Sequence, residues 1–289
     1  MRFGGGQQAA LKALIAVRRL RSRGQGALRR LGLIRARDGR DSSRPKVIPK
    51  IIWIYWAQGE AEAPVLVRAS IDSWRRMNPE WDVRVLDAST APDAADLPVS
   101  PETVPIQSYA DLLRLRLLNT EGGVWADATV YCVTPLDHWL PFIAQKGFFA
   151  FRWTPGDAWM IWPNIGRDVT NWFIAAAPGT PIIDAWDSIS RAYWSGGRTE
   201  PDVYFWPHFL FDLMRMGRRR FRRDVAEMPS VGCYGPHLVH DHITTGAMEA
   251  EDLRALLVSG AAPVQKLRWN WSDEQAAQVL ALLAPESGP

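Results

Sequence analysis

Residues 46–289 predict an α/β fold, a single domain with a mainly parallel, nucleotide-binding type of sheet flanked by helices, and a basic N-terminal segment, residues 1–45, precedes it. Three observations carry this expectation. Apolar runs at Ile51–Trp56 and Val83–Leu86 bracket an amphipathic stretch at Val65–Met77, and a strand, crossover helix and second strand in that order make a parallel pair. An apolar helix then passes through a glycine pair into a short buried strand between Tyr109 and Asp127. Finally, 289 residues of which 47% are hydrophobic suffice to bury a full core in one large α/β domain or two small ones.

Each element has a local reason. Pro64 opens the first helix and Asn78-Pro79 closes it. Residues 88–106, rich in Pro and Asp, read as a loop. Tyr109–Leu118 is apolar apart from Asp111, Arg114 and Arg116. Gly122 and Gly123 tolerate positive φ and stop the helix, and Val124–Ala126 is a buried strand. Thr129–Val133 is expected to extend the same sheet, and Phe148–Trp153 to add a further strand. Helices follow at Ile182–Tyr193 and Tyr204–Met216. There is no internal repeat.

The central block also carries chemistry. Residues three apart share a helical face, so Asp111 and Arg114 point together from an otherwise apolar helix. Asp127 ends the following strand, where open α/β sheets bind ligands. Either feature alone is more often just an intrahelical ion pair or a turn acid. Their conjunction with Gly-Gly-Val-Trp-Ala-Asp favours a site that binds and polarises an anionic, phosphate-bearing ligand.

At this point the sequence resembles the capsular polysaccharide synthesis proteins, relatives of the family 32 glycosyltransferases with their DXD signature. The resemblance covers about residues 46–270. It rests on Pro49-Lys50-Ile51-Ile52-Trp53-Ile54-Tyr55-Trp56 with Gln58-Gly59, on Ser73-Trp74 and Asn78-Pro79, and above all on Ala110-Asp111-Leu112-Leu113-Arg114 and Gly122-Gly123-Val124-Trp125-Ala126-Asp127-Ala128-Thr129. Asn171-Trp172-Phe173, Gly235-Pro236 and Lys266-Leu267 are weaker anchors. The resemblance implies a GT-A-like, retaining transferase using a nucleotide-sugar donor. Asp111 and Arg114 would then hold the ribose and sugar of the donor. Asp127 would face a metal-bound diphosphate, with Asp127 and Thr129 as catalytic and metal-binding positions and Mn²⁺ or Mg²⁺ as cofactor. Thr129 departs from the motif, because a hydroxyl is a weaker ligand for a hard cation than a carboxylate. The run Arg215, Arg218, Arg219, Arg220, Arg222 and Arg223 offers substitute positive charge, since guanidinium groups bind phosphate in a fork.

Fifteen tryptophans supply aromatic faces for sugar rings and bases. Trp125 and Trp186 read as core. Trp53, Tyr55 and Trp56 beside Gln58 are the nucleotide-binding candidates, in the place where a GT-A enzyme would hold its base. Trp153, Trp159 and Trp162, around Pro155-Gly156-Asp157, are candidates for an acceptor cleft. His237, next to Gly235-Pro236, is the phosphate-side candidate, while His240 and His242 read as surface or supporting groups. His208 reads as a core histidine. The histidine spacing matches no closed zinc site.

Residues 1–46 hold 13 Lys and Arg against 2 Asp, net +11, so residues 47–289 hold 21 against 29, net −8. The leader therefore suits an anionic membrane surface, with Leu11, Leu14 and Ile15 beside Lys12, Arg18 and Arg19 as a short amphipathic helix. Nucleic acid is not expected, since Phe3 is its one aromatic residue and base stacking needs more. No run approaches the ~18 apolar residues of a membrane span. Lys12 breaks the AALKALIAV segment, and no small-residue cleavage site follows. Cys132 and Cys233 form no CxxC pair and read as buried free thiols. The expected location is the cytoplasm, with peripheral attachment to the inner face of the cell membrane. Two functions remain: a transferase building capsule or another surface glycan onto a glycan or lipid-linked acceptor, and a non-catalytic carbohydrate-binding or scaffold subunit of a polysaccharide assembly complex.

Overall fold

A computed structural model describes residues 46–153, 168–246 and 248–284. The basic leader with its amphipathic candidate, and the loop tryptophans Trp159 and Trp162, lie outside the described residues. Strand β1 (Ile51–Tyr55), helix α1 (Val65–Met77) and strand β2 (Asp82–Leu86) form the expected β-α-β start, with Ile51 beside Asp82 and Tyr55 beside Leu86 in parallel register. A one-turn helix α2 (Ala91–Ala94) interrupts the segment expected as loop. Helix α3 (Ile106–Thr120) then leads into β3 (Gly123–Ala126), which joins the other side of β1 in parallel.

The chain next departs from expectation. Strand β4 (Val130–Cys132) does not extend the sheet. The Val130 amide closes a turn on the Asp127 carbonyl at 2.8 Å, and β4 pairs instead with a late strand. After a short α4 (Leu140–Ile143), β5 (Phe148–Arg152) returns to the main sheet. Strand β6 (Val169–Ala176), which the sequence pattern did not announce, inserts antiparallel between β3 and β5. The order is β2-β1-β3-β6-β5, and every strand but β6 points the same way. The protein is thus a mixed α/β fold on a mostly parallel central sheet.

Alternation along the strands builds two cores. Trp53, Tyr55, Trp125, Phe148, Ala150, Ile174 and Ala176 face α3 together with α5 (Pro181–Trp194), α6 (Trp206–Gly217) and α7 (Arg219–Ala226). Ile52, Ile54, Val124, Ala126, Phe149, Phe151, Phe173 and Ala175 face α1, β4 and the segment through α4. A third apolar cluster joins Tyr131 to α8 (Leu238–Thr245), α9 (Ala250–Val258) and α10 (Asp273–Leu283), and between the last two lies β7 (Val264–Lys266). Among the described residues no helix is long and apolar enough to cross a membrane. Both cysteines are buried and free.

The glycine pair is what lets β3 lie against β1. Gly123 has φ 101°, and a Cβ there would stand 2.5 Å from the Ile51 carbonyl oxygen. Gly122 has φ 74°, and a Cβ there would meet Pro178 at 2.6 Å. L-residues bear positive φ poorly, so both positions demand glycine on two independent grounds.

Candidate active site

The α3–β3 turn brings two separated acids to one level. Asp127 lies four residues beyond Gly123, about 13 Å along a strand at ~3.3 Å per residue. Asp111 lies nine residues before Thr120, again about 13 Å along a helix at ~1.5 Å per residue. Because helix and strand run in opposite directions about the turn, both carboxylates arrive at the carboxyl end of β3.

Arg114 ties them together. Its Nη2 lies 3.2 Å from Asp111 Oδ1 and 3.3 Å from Asp127 Oδ1. Nη1 donates to the Asn171 carbonyl at 2.5 Å, and Nε donates to the Ala110 carbonyl at 3.2 Å. The guanidinium also sits 5.1 Å from the centroid of the Trp125 ring, a cation–π distance. Asn171, on β6, completes the clamp by donating from Nδ2 to Asp111 Oδ1 at 2.8 Å. Asp111 and Arg114 are only 9% and 6% exposed, so this pair is no solvated helix-surface bridge.

Asp127 meets a second cation. Its Oδ1 accepts from Trp125 Nε1 at 3.0 Å, and its Oδ2 accepts from Lys266 Nζ at 3.2 Å. The same ammonium donates to Thr129 Oγ1 at 2.5 Å. Backbone pairing fixes this arrangement: Lys266 stands opposite Val130 in the antiparallel β4–β7 ladder, and the Leu267 amide donates to the Thr129 carbonyl at 2.8 Å.

The two acids therefore carry charge differently. Burial pushes the Asp111 carboxyl up to about 7; Arg114 opposes that rise, and the negative charge of Asp127 adds to it. Burial also raises Asp127, but Lys266 and Arg114, helped by hydrogen bonds from Trp125 and Lys266, outweigh it and hold Asp127 below the usual range. Near neutral pH Asp127 is ionised while Asp111 is titrating.

Asp127 and Thr129 come together as expected of a metal pair, but the group between them is an ammonium. At a nucleotide site Mg²⁺ takes only one or two carboxylates from the protein and completes about six ligands with phosphate oxygens and water, so what matters is whether the protein oxygens are open to it. Here one carboxylate already faces a cation through each oxygen, and the other donor is a neutral hydroxyl. Among the described residues no group of three or more His, Cys, Asp or Glu is placed to hold a metal ion. With Lys266 on both protein oxygens, a divalent cation would have to displace the ammonium to bind there.

Other expected site residues fall as follows. Trp53 is a correction: at 3% exposure it lies in the core under α3, its Nε1 donating to the Gly122 carbonyl at 2.9 Å and Arg84 covering its ring. Strand alternation turns it toward the helix and not toward a ligand. Tyr55, on the same face and nearer the carboxyl end of β1, packs 5.9 Å from Tyr109, and its buried hydroxyl has no partner among the described residues. Burial, then the charges of its neighbours, raises that phenol. Gln58 is exposed in the turn that Gly59 closes on Trp56. Trp56 packs edge-on against the half-exposed Trp269 at 6.2 Å. His237 is 7% exposed, accepts or donates through Nδ1 at the Cys233 carbonyl 2.8 Å away, and contacts the rings of Trp172 and Trp153. His208 is buried, as expected. The arginine run has acidic partners of its own. Arg215 is engaged by Asp168 and Asp212, and on α7 the exposed Arg220 and Arg223 lie beside Asp224 and Glu227. Lys266 and Asn171 are what residue-by-residue reasoning missed; each stood in the sequence only as part of a weak anchor motif.

The model of the capsular polysaccharide synthesis protein family matches residues 31–281. The chain belongs to that family. Among curated proteins, this family member is 28% identical over 170 residues to "Glycosyltransferase afumC" of Aspergillus fumigatus, covering 50% of this chain and 40% of that protein. It is 29% identical over 177 residues to "O-glycosyltransferase braB" of Annulohypoxylon truncatum, covering 53% and 39%. The match thus spans about two fifths of the length of these relatives. Among solved structures, "PaToxG Glycosyltransferase" is similar at 15% identity with a TM-score of 0.39, covering 83% of this chain and 86% of that one, a superposition too loose to assign a fold class.

Proposed function

We propose that residues 46–289 form one GT-A-like glycosyltransferase domain that moves a sugar from a nucleotide-sugar donor to an acceptor hydroxyl, with retention at the anomeric carbon. The observation that carries this is the convergence of Asp111, Arg114, Asp127 and Lys266 at the carboxyl end of β3. A non-catalytic carbohydrate-binding subunit has no use for an ionised acid fixed between two cations. A transferase does, because negative charge grows on the leaving diphosphate as its bond to the sugar breaks, and fixed positive groups lower that barrier. In this reading Asp111 and Asn171 accept and donate hydrogen bonds to ribose or sugar hydroxyls, and Tyr55 with Trp56 and Gln58 borders the base. The family supports capsule or another surface glycan as the product, and the relatives named as glycosyltransferases support the reaction class. The net +11 of residues 1–46 supports peripheral attachment to an anionic, cytoplasmic membrane face.

A thermal-shift panel of nucleoside diphosphates and nucleotide sugars tests the reading. A ligand at a hundred times its dissociation constant adds about 2.7 kcal/mol. At roughly 2 to 4 °C per kcal/mol, the cognate nucleotide raises the midpoint by roughly 5 to 10 °C. A panel in which no compound at millimolar concentration moves the midpoint, with or without Mn²⁺, refutes the proposal.

A further inference from the structure

We propose that Lys266 is the cation that receives the departing diphosphate, so that this protein transfers sugar without a divalent metal. The inference rests on the transferase reading and deepens it. It starts from position: the Lys266 ammonium lies against both residues that a metal would have to use, Asp127 Oδ2 at 3.2 Å and Thr129 Oγ1 at 2.5 Å. An ammonium has three donors. Two are spent on those oxygens, and the third has no partner among the described residues. The lysine side chain is 22% exposed, so it is open to solvent, from which a phosphate oxygen can approach the third N–H.

The backbone around Lys266 is held as a catalytic cation requires. Its neighbour Gln265 is wholly buried. The Gln265 amide donates to the Gly235 carbonyl at 3.0 Å and accepts from the Val239 amide at 3.0 Å. Alternation then turns Lys266 to the opposite side, toward Asp127, while β4 fixes its register. Such a cation needs no reorganisation when charge develops, which is the condition under which electrostatic stabilisation is largest. Thr129 also acquires a reason. A hydroxyl accepts from the ammonium without neutralising it, whereas a second carboxylate would leave the cluster's charge too low to attract a diphosphate.

In the transfer step, the bond from the anomeric carbon to the diphosphate oxygen breaks and its electron pair stays on that oxygen. The acceptor's hydroxyl oxygen bonds to the anomeric carbon, and its proton passes to the departing phosphate oxygen. Lys266 donates a hydrogen bond to the diphosphate throughout and keeps its proton.

The experiment measures binding of UDP, GDP and ADP, and turnover of the corresponding glucose donors, in excess EDTA and in Mn²⁺, for the parent and for Lys266→Met and Lys266→Arg. The parent is expected to bind its cognate diphosphate and release sugar equally well in both conditions. Lys266→Met is expected to lose about 10- to 100-fold in affinity, the scale of one hydrogen bond between charged groups, and Lys266→Arg less. A parent whose affinity or turnover falls tenfold or more in EDTA and returns with Mn²⁺ overturns the inference while leaving the transferase reading intact. So does a Lys266→Met protein that binds as the parent does. Should Lys266→Met fail to fold, the parent's response to EDTA decides. Absence of any nucleotide binding in either condition refutes the transferase reading itself.

Discussion

Asp111→Asn is the substitution whose effect the structure quantifies best. Burial lifts the Asp111 carboxyl from 3.8 to about 7. The folded protein therefore holds this proton more tightly than the unfolded chain. The stability that this confers is complete below about pH 4 and is lost as pH rises through 7. A shift of about three units at ~1.36 kcal/mol each amounts to about 4 kcal/mol. Asparagine has the shape of the protonated acid, and its Oδ1 still accepts from Asn171 Nδ2, the contact that spans 2.8 Å in the parent. It has nothing to ionise. The variant is thus expected to match the parent at pH 4 to 5 and to exceed it by about 2 to 4 kcal/mol at pH 8, the lower figure allowing for relaxation around the charge. Urea unfolding of both proteins across this range gives the difference directly. The same variant is expected to bind donor more weakly, a trade of function for stability common at binding sites. A variant less stable than the parent at pH 8, or a difference that does not vary with pH, refutes the account of Asp111.

Asp127→Asn removes the anion between Arg114 and Lys266. Turnover is expected to fall by roughly 10²-fold, because Lys266 loses the carboxylate that aims it at the diphosphate, while Asp111, relieved of a negative neighbour, titrates lower; steady-state kinetics and NMR titration check the two effects. Gly123→Ala drives a Cβ to 2.5 Å from the Ile51 carbonyl oxygen at φ 101° and is expected to abolish cooperative unfolding. Gly179→Ala, with φ 63° and nothing within 4 Å, costs only about 1 to 2 kcal/mol. Binding of a nucleotide sugar near pH 7 is expected to take up part of a proton, because the diphosphate disfavours the charged form of Asp111; calorimetry in buffers of different ionisation enthalpy measures the uptake, and Asp111→Asn removes it. Deleting residues 1–44 is expected to release the protein from anionic vesicles without altering turnover on a soluble acceptor, and binding that survives deletion and high salt would place the membrane contact on the catalytic body.

Elements punctuated by their own residues were legible. Pro64 and Asn78-Pro79 bracket α1, and Gly122-Gly123 separates α3 from β3, because those residues restrict their own backbone. Elements whose place depends on a distant partner were not. Thr129–Val133 has the composition of a sheet strand and does form one, but the turn at Asp127 and the edge offered by β7 decide which sheet it joins. The apolar run Val169–Ala176 carries no mark of its antiparallel direction. Trp53 carries its own signal of burial: it lies mid-strand, on the face that packs against α3 and has to be filled by large apolar groups, whereas Tyr55 ends the strand. Asp111, Arg114 and Asp127 were readable as a set because one helix turn and one glycine corner connect them.

Lys266 could not be read that way, and it decides the chemistry of the others. It lies 139 residues from Asp127 in sequence, and only the β4–β7 register carries it there. Without it, Asp111 and Asp127 would be near equivalents, two carboxylates each about 3 Å from the one guanidinium of Arg114. With it, Asp127 gains a cation of its own and ionises, and its charge then helps to keep Asp111 protonated. The split into one fixed anion and one titrating acid is therefore a consequence of long-range strand pairing acting on a locally encoded pair. On the proposed transferase reading that division has a use: Asp127 holds the cations in place, and Asp111 exchanges hydrogen bonds with donor hydroxyls. The division would be lost by moving β7 one residue along β4, since a slip of one turns Lys266 to the opposite face and leaves Gln265, now wholly buried, in its stead.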